Sequence, residues 1–130
     1  MINLKTSVRI ARPIADVFAY VSDPTRFPAW NSAVRSVRQT SGSTYEMERD
    51  LPTGRAHNEL EIVTLDPPAE FAIRTTSGPT PFLYRYRFSE DEGGTLLEFE
   101  GEIQLPRIAG PMIKRGIEAN LATLVREFGR

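Results

Sequence analysis

Alternating apolar and polar residues run through most of the chain between residues 31 and 104, and this period-2 pattern constrains the fold more than any other feature. It is clearest in segment 82–88, where aromatic residues at even positions alternate with Leu83, Arg85 and Arg87. Such alternation is typical of strands that bury one face. Similar patterns, separated by proline and glycine clusters, recur in segments 2–10, 44–50, 57–64, 71–76 and 96–103. We therefore expect about six to seven antiparallel strands in one sheet.

Helical spacing appears near both ends of the chain. Pro13 precedes apolar residues at positions 14, 17, 18 and 21, which predicts a short amphipathic helix after the first strand. Segment 24–30, with a proline at its start and another inside it, has room for a second short helix. Residues 107–129 are expected to form the longest helix, because apolar side chains fall on one stripe: Ile113, Ile117, Leu121, Leu124 and Phe128.

The order of these elements defines the fold class. One strand, two short helices, the remaining strands and a long helix give an α+β arrangement, in which a curved antiparallel sheet wraps around the C-terminal helix. No repeat, low-complexity block or long linker interrupts the 130 residues. We therefore expect residues 1–130 to form a single domain with its own apolar core.

Two details of strand pairing follow from the same pattern. Segment 32–40 is out of phase with a regular strand, which predicts a bulge. In the hairpin formed by the last two strands, pairing of Phe88 with Thr95 would bring Arg85 opposite Glu98 on the polar face. Since a slip of one residue would bury the arginines, we expect the charges to specify the register.

The inventory of reactive side chains excludes several kinds of site. The chain has no cysteine and one histidine, His57, so thiol nucleophiles, disulfides and multi-histidine metal sites are ruled out. We expect neither a metal nor a cofactor. With 16 basic and 17 acidic residues, charge favours neither nucleic acid nor anionic lipid. No apolar stretch is long enough to span a membrane, and we expect a cytoplasmic protein.

Segment 8–24 (VRIARPIADVFAYVSDP), followed by the residues Phe27-Pro28-Ala29-Trp30, resembles the START-like or SRPBCC superfamily. It is most similar to the polyketide cyclase/dehydrase branch, and the element order resembles that superfamily over essentially the whole chain. The resemblance implies the helix-grip fold and a single START-like domain over residues 1–130. It also implies a large apolar cavity between the sheet and the C-terminal helix, usually for a hydrophobic small molecule. It implies no shared set of catalytic residues.

The predicted strand and helix faces supply candidates for the lining of such a cavity. Pockets for small molecules are mainly apolar and contain a few polar groups that fix orientation. The candidate ligand-binding residues are Trp30, Arg49, Asn58, Phe71, Ile73, Thr75, Tyr84, Tyr86, Phe99, Met112, Ile113, Ile117, Asn120 and Leu124. Catalytic residues are not assigned.

Polar residues at inward positions must find a protein partner or a ligand. An unpaired amide at Asn120, within the apolar stripe, would cost about 1 to 3 kcal/mol. Thr64 is likewise expected to face inward. An inward Arg49 would orient a carboxylate or phenolate at the cavity mouth. Alternatively, a frayed strand end leaves Arg49 on the surface, or a one-residue bulge exchanges its face with that of Glu48.

The histidine is expected outside the cavity. His57 falls on the outward face together with Glu59 and Glu61. An imidazole in that position is a poor general base for a reaction inside the cavity. Any chemistry would then come from tyrosine, arginine, amides or the ligand itself.

Three functional hypotheses follow. The first is a protein that binds a hydrophobic, ring-containing small molecule or lipid, with little or no catalysis. The second is an enzyme that resembles a polyketide cyclase or dehydratase, in which an inward Tyr or Arg polarises a carbonyl. The third is a protein-interaction module, which an exposed apolar patch around Phe27, Trp30 and Phe82 would favour. The inward aromatic side chains and scarcity of ionisable groups favour the first. The ligand, its turnover and the oligomeric state are left open.

Overall fold

The computed structural model describes residues 1–129. The strands and helices, in chain order, are β1 (Ile2–Ile10), α1 (Ile14–Val21), α2 (Phe27–Trp30), β2 (Val34–Gln39), β3 (Thr44–Leu51), β4 (Gly54–Asp66), β5 (Glu70–Ser77), β6 (Phe82–Asp91), β7 (Gly94–Ile103) and α3 (Gly110–Phe128). Short 3₁₀ turns at Pro24–Arg26 and Arg107–Ala109 precede α2 and α3. Within residues 1–129, no helix is both long and apolar enough to cross a membrane.

All seven strands belong to one sheet with the order β1-β7-β6-β5-β4-β3-β2, and every neighbouring pair is antiparallel. The curved sheet grips α3, which confirms the predicted α+β helix-grip architecture. The core lies between the inner sheet face and the helices. Phe71, Ile73 and Leu97 of the sheet and Leu121 and Leu124 of α3 are all buried there.

The segment between β1 and β2 closes one end of the core. Pro13 precedes α1, whose residues Val17, Phe18 and Val21 are buried. The Phe18 ring meets Phe88 of β6 edge to face at a centroid distance of 5.1 Å. The two short helices after the first strand therefore lie where the proline positions predict them.

The β6–β7 hairpin has a different register from the predicted one. Phe88 pairs with Leu97 and Arg85 with Glu100, so the pairing is shifted by two residues. Such a shift keeps every side chain on its predicted face. Its cause is the two-residue turn at Glu92-Gly93, where φ is +49° and +81°. The predicted pairing would have placed the turn one residue earlier, without a glycine in this left-handed region.

The sheet contains three register shifts, one between β2 and β3 and two between β4 and β5, the first of the latter between Glu59 and Leu60. The pairing of β2 with β3 shifts between Val34 and Ser36, which confirms the predicted irregularity. The shift between Ile62 and Thr64 of β4 was not predicted. Beyond it Thr64 pairs with Ala72, which pairs in turn with Arg85 of the outer face. The expected inward orientation of Thr64 is therefore wrong, because the bulge reverses the alternation there.

Replacement of Gly93 by alanine is expected to destabilise the protein by about 1 kcal/mol, because a Cβ at positive φ is strained. Gly42 provides a matched control. Both glycines are exposed with open space at the Cβ position, but Gly42 has no positive φ. Gly42→Ala should be neutral or stabilising by up to about 1 kcal/mol, since it restricts the unfolded chain. Urea unfolding measures both, and equal effects would contradict the role of the turn.

Candidate ligand-binding site

An apolar cavity of about 420 Å³ lies between the inner face of the sheet and the first half of α3. Its volume is within the roughly 300 to 1,000 Å³ range of small-molecule pockets. Aromatic rings from Trp30, Phe82, Tyr84, Tyr86 and Phe99 form much of its wall. The cavity therefore has the composition typical of a site for an apolar ligand.

The cavity exists because the two halves of α3 pack differently. Leu121 and Leu124 in the second half are 1% and 0% exposed. In the first half Ile113 and Ile117 are only partly buried, and Met112 is 60% exposed. The same apolar stripe thus fills the core at one end and leaves space at the other.

Most of the predicted ligand-binding residues line this cavity: Trp30, Arg49, Tyr84, Tyr86, Phe99, Met112, Ile113, Ile117 and Asn120. The others face inward but lie outside its wall. Phe71, Ile73 and Leu124 are fully buried in the core. Thr75 pairs with the start of β6 through its hydroxyl, which accepts from the Phe82 backbone N–H at 3.0 Å. Asn58 is occupied by protein partners.

The cavity wall also includes residues that the sequence analysis did not select. Met47 and Phe82 stand two positions from Arg49 and Tyr84 on the same strand faces, so the alternation could have identified both. The β3–β4 turn, residues 51–53, borders the cavity as well. Turn residues carry no periodic signal, and nothing in the sequence indicated that this turn reaches the cavity.

Arg49 is buried, at 8% exposure, and its guanidinium is held by neutral groups. Nε donates to Asn58 Oδ1 at 2.8 Å, while Nη2 donates to the carbonyls of Pro79 and Thr80 at 2.8 and 3.0 Å. The structure thus places Arg49 inside, not at a frayed surface position. Within residues 1–129 it forms no salt bridge, and Nη1 has no hydrogen-bond partner.

Asn58, which is fully buried, organises this network. Its Nδ2 donates to the carbonyls of Ser77 and Pro79 at 3.1 and 2.9 Å. A glycine at position 78 permits the close approach of this loop to β4. Gly78 has φ +98°, and a Cβ there would lie 2.3 Å from the His57 carbonyl oxygen. The loop carbonyls can therefore reach both the amide and the guanidinium.

Burial lowers the pKa of Arg49. The nearby Tyr84 would raise the pKa of Arg49 again only if its phenol were ionised. The Phe82 ring lies 5.5 Å from the guanidinium carbon and stacks on Tyr84 at a centroid distance of 4.0 Å. Arg49 therefore adjoins an aromatic wall, an arrangement that stabilises a cation through the ring faces. The cation still lacks a negatively charged partner in the described chain.

Tyr84 and Tyr86 line the cavity, and neither hydroxyl forms a hydrogen bond with another group within residues 1–129. Burial raises the pKa of Tyr84 to about 12, partly opposed by Arg49, and raises that of Tyr86 further. Both phenols therefore remain protonated at neutral pH. They can donate hydrogen bonds to a ligand, but they cannot serve as bases.

Trp30 and Asn120 complete the polar part of the wall. The Trp30 Nε1–H group is buried without a partner among the described residues, and its ring meets Tyr86 edge to face at 6.3 Å. Asn120 Oδ1 accepts from the Ser32 backbone N–H at 3.3 Å. The amide expected to need a partner thus has one protein contact, while its Nδ2 donates to no protein group within residues 1–129.

His57 lies on the outer face of β4, exposed and hydrogen-bonded to Glu48. This bond raises the pKa of His57. No imidazole lines the cavity, and no cluster of three or more histidine or acidic side chains suited to a metal occurs in the described part of the chain. The chemistry available at the cavity is therefore hydrogen-bond donation, one buried positive charge and the half-exposed carboxylate of Asp50, which is paired with Arg35.

The sheet order and the long helix that the sheet grips define a START-like, helix-grip fold. The model of the family described as polyketide cyclase / dehydrase and lipid transport matches residues 1–129, and the chain belongs to that family. This family and fold are associated with binding of hydrophobic ligands. No curated protein matches the sequence.

Solved structures support the fold assignment at low sequence identity. A protein from Thermus thermophilus superposes with a TM-score of 0.81 at 12% identity, over 97% of this chain and 96% of the other. One from Deinococcus radiodurans gives 0.78 at 18% identity, over 96% and 95%. A START superfamily protein from Mycobacterium smegmatis gives 0.71 at 18% identity, over 95% and 92%. These similarities concern the fold alone.

Asn58→Ala is expected to lower the free energy of unfolding by about 3 kcal/mol, because it leaves Arg49 Nε without its partner and removes both hydrogen bonds from Nδ2 to the carbonyls of Ser77 and Pro79. The matched control is Gln39→Ala, which removes an exposed amide bonded to the Gly42 carbonyl. That change should cost less than about 0.5 kcal/mol. Chemical denaturation compares the two, and a loss below 1 kcal/mol at Asn58 would refute the structural importance of the network.

The exposed pair of His57 and Glu48 gives a pH prediction. Because the folded-state pKa is raised, its contribution to stability is present below about pH 6.5 and is lost as the pH rises through the folded pKa. Glu48→Gln should therefore lower the pKa of His57 towards about 6.5, as measured by NMR titration of its imidazole. As the control, Asp66→Asn removes a carboxylate at the far end of β4, the strand that carries His57, and should leave the titration of His57 unchanged. An unaltered pKa in Glu48→Gln would show that the pair does not form.

Proposed function

We propose that this protein binds a hydrophobic, ring-containing small molecule in the cavity between the sheet and α3. The observation that carries the proposal is the aromatic-lined cavity of about 420 Å³, which the protein's own side chains leave unfilled. Removing apolar ligand surface from water contributes roughly 25 cal/mol per Å². The cavity supplies that apolar environment, and the family association with hydrophobic ligands supports the same conclusion.

The arrangement of the rings favours a cyclic ligand over a simple alkyl chain. Phe99 meets both Tyr84 and Tyr86 edge to face, at 5.1 and 5.3 Å, and Trp30 approaches Tyr86 from another direction. Ring faces and edges are thus presented from the sheet and from α2. Each well-placed aromatic contact adds about 0.5 to 1.5 kcal/mol beyond area burial. A flat ring system can use several of these contacts at once.

A cyclase or dehydratase activity is the second candidate. The observation in its favour is that Arg49, Tyr84 and Tyr86 line the same cavity with unused donor groups. Such donors can stabilise negative charge that develops on a carbonyl oxygen. Apart from Asp50, a half-exposed carboxylate that is paired with Arg35, the cavity wall offers no side chain suited to act as a base at neutral pH, because the tyrosine pKa values are raised and His57 is outside. We therefore favour binding without turnover.

The protein-interaction hypothesis depended on an exposed apolar patch around Phe27, Trp30 and Phe82. These side chains are only 5%, 4% and 7% exposed. They form part of the cavity wall and the surrounding core. The feature that would have favoured a docking module at this position is therefore absent from the described chain.

Filling the cavity with a larger side chain should weaken ligand binding. Ile117→Trp places a larger ring in the space beside α3 and is expected to weaken binding of the neutral probe 2-acetylnaphthalene at least tenfold in isothermal titration calorimetry. Ala122→Trp adds the same side chain at an exposed position of α3 outside the cavity wall. It should bind the probe as the unaltered protein does. Equal affinity in both variants, or no binding by the unaltered protein, would refute the proposed site.

A further inference from the structure

We infer that the ligand is an aromatic carboxylate whose anionic group pairs with Arg49. This inference rests on the proposed function, because it requires the cavity to be the binding site. It adds a chemical class to the ligand, namely a ring system that carries a carboxylate.

The first argument is the unbalanced charge of Arg49. A buried charge is costly unless it is paired. The partners that hold this guanidinium are one amide and two backbone carbonyls, which orient it without neutralising it. Other arginines of the sheet, such as Arg74 and Arg87, form salt bridges with glutamates on the outer face. Arg49 is thus a buried cation that is held in position but has no anionic partner in the described chain.

The second argument is the free donor of the Arg49 guanidinium. Asn58 and the carbonyls of residues 79 and 80 occupy Nε and Nη2. Nη1 is left without a partner within the described chain, and Arg49 borders the cavity. Because the rest of the guanidinium is held, Nη1 is pre-oriented, which reduces the entropy lost when a ligand binds. An anionic oxygen can bond to it without any rearrangement of the network.

The third argument is the imbalance between donors and acceptors in the wall. The hydroxyls of Tyr84 and Tyr86 and Nδ2 of Asn120 are available as donors. Asp50, the acidic side chain of the wall, pairs with Arg35 at 3.3 Å and is about half exposed. A carboxylate, which accepts hydrogen bonds only, matches this set of donors.

The aromatic wall determines what carries the carboxylate. The Phe82 ring lies beside the guanidinium and stacks on the Tyr84 ring. The Tyr84 ring in turn meets the Phe99 ring edge to face. A ligand anchored on Arg49 would therefore have these rings next to its anionic group. In a ligand whose carboxylate is attached directly to a ring, the carboxylate can pair with Arg49 while the ring contacts the aromatic wall.

A matched pair of probes tests the inference by calorimetry at pH 7. In 2-naphthoate a carboxylate replaces the neutral acetyl group of 2-acetylnaphthalene, with nearly the same shape. The unaltered protein should bind 2-naphthoate at least tenfold more tightly. Arg49→Met should remove this preference, whereas Arg55→Met, which changes an exposed arginine outside the cavity wall, should retain it.

The outcomes separate this inference from the proposed function. Binding of both probes with equal affinity would overturn the carboxylate inference and leave the hydrophobic site intact. If neither probe binds, both the carboxylate inference and the proposed function are overturned. A preference that survives in Arg49→Met would show that another group selects the anion, and would also overturn the inference.

A measurement on the unaltered protein covers the case in which Arg49→Met does not fold. The pKa of carboxyl-¹³C-labelled 2-naphthoate can be followed by NMR while it is bound. Pairing with the guanidinium should hold this pKa below that of the free acid. A bound pKa equal to or above the free value would overturn the inference, since burial without a cation raises the pKa of a carboxyl.

Discussion

The packing of α3 against the sheet is the constraint on which the rest of the structure depends. Leu121 and Leu124 are seated fully in the core and anchor the second half of the helix. The first half, with Ile113 and Ile117 only partly buried, is held away from the inner sheet face. The apolar stripe of α3 therefore has two roles. At one end it completes the core, and at the other end it forms one wall of the cavity. A helix packed tightly along its whole length would leave no site.

The polar interior depends on a second, smaller arrangement. Asn58 binds the loop that follows β5, and the loop carbonyls together with that amide hold Arg49. In a low-dielectric interior such a network is stabilising only when its members are satisfied. Here one nitrogen of the guanidinium is left free at the cavity. The same hydrogen bonds that make the buried cation tolerable thus also present it to a ligand.

The sequence predicts which face of each strand is buried better than it predicts depth or register. Period-2 alternation placed Arg49, Tyr84 and Tyr86 inward because it depends only on local geometry. It could not distinguish the cavity wall from the filled core, so Phe71 and Ile73 were selected with the true lining residues. That distinction depends on how far α3 stands from each strand, which no strand pattern contains.

Local exceptions account for the remaining differences. The bulge in β4 turned Thr64 outward, and the positive φ at Glu92-Gly93 fixed the hairpin register two residues from the expected one. Segments without periodicity gave no signal, so the contribution of the β3–β4 turn to the cavity emerged only from the structure. Sequence patterning is thus reliable where one interaction dominates a segment. It fails where turn geometry or tertiary packing decides.

The most direct test of ligand binding in the cavity uses the single tryptophan of the chain. Trp30 lines the cavity. As the only indole N–H of the chain, it should give a single side-chain signal of its kind in a ¹H–¹⁵N correlation spectrum. Titration with 2-naphthoate should shift this signal progressively to saturation, because a ring bound in the cavity alters the magnetic environment of the indole. An indole signal that stays in place while calorimetry detects saturable binding would place the ligand elsewhere and contradict the assignment of this cavity.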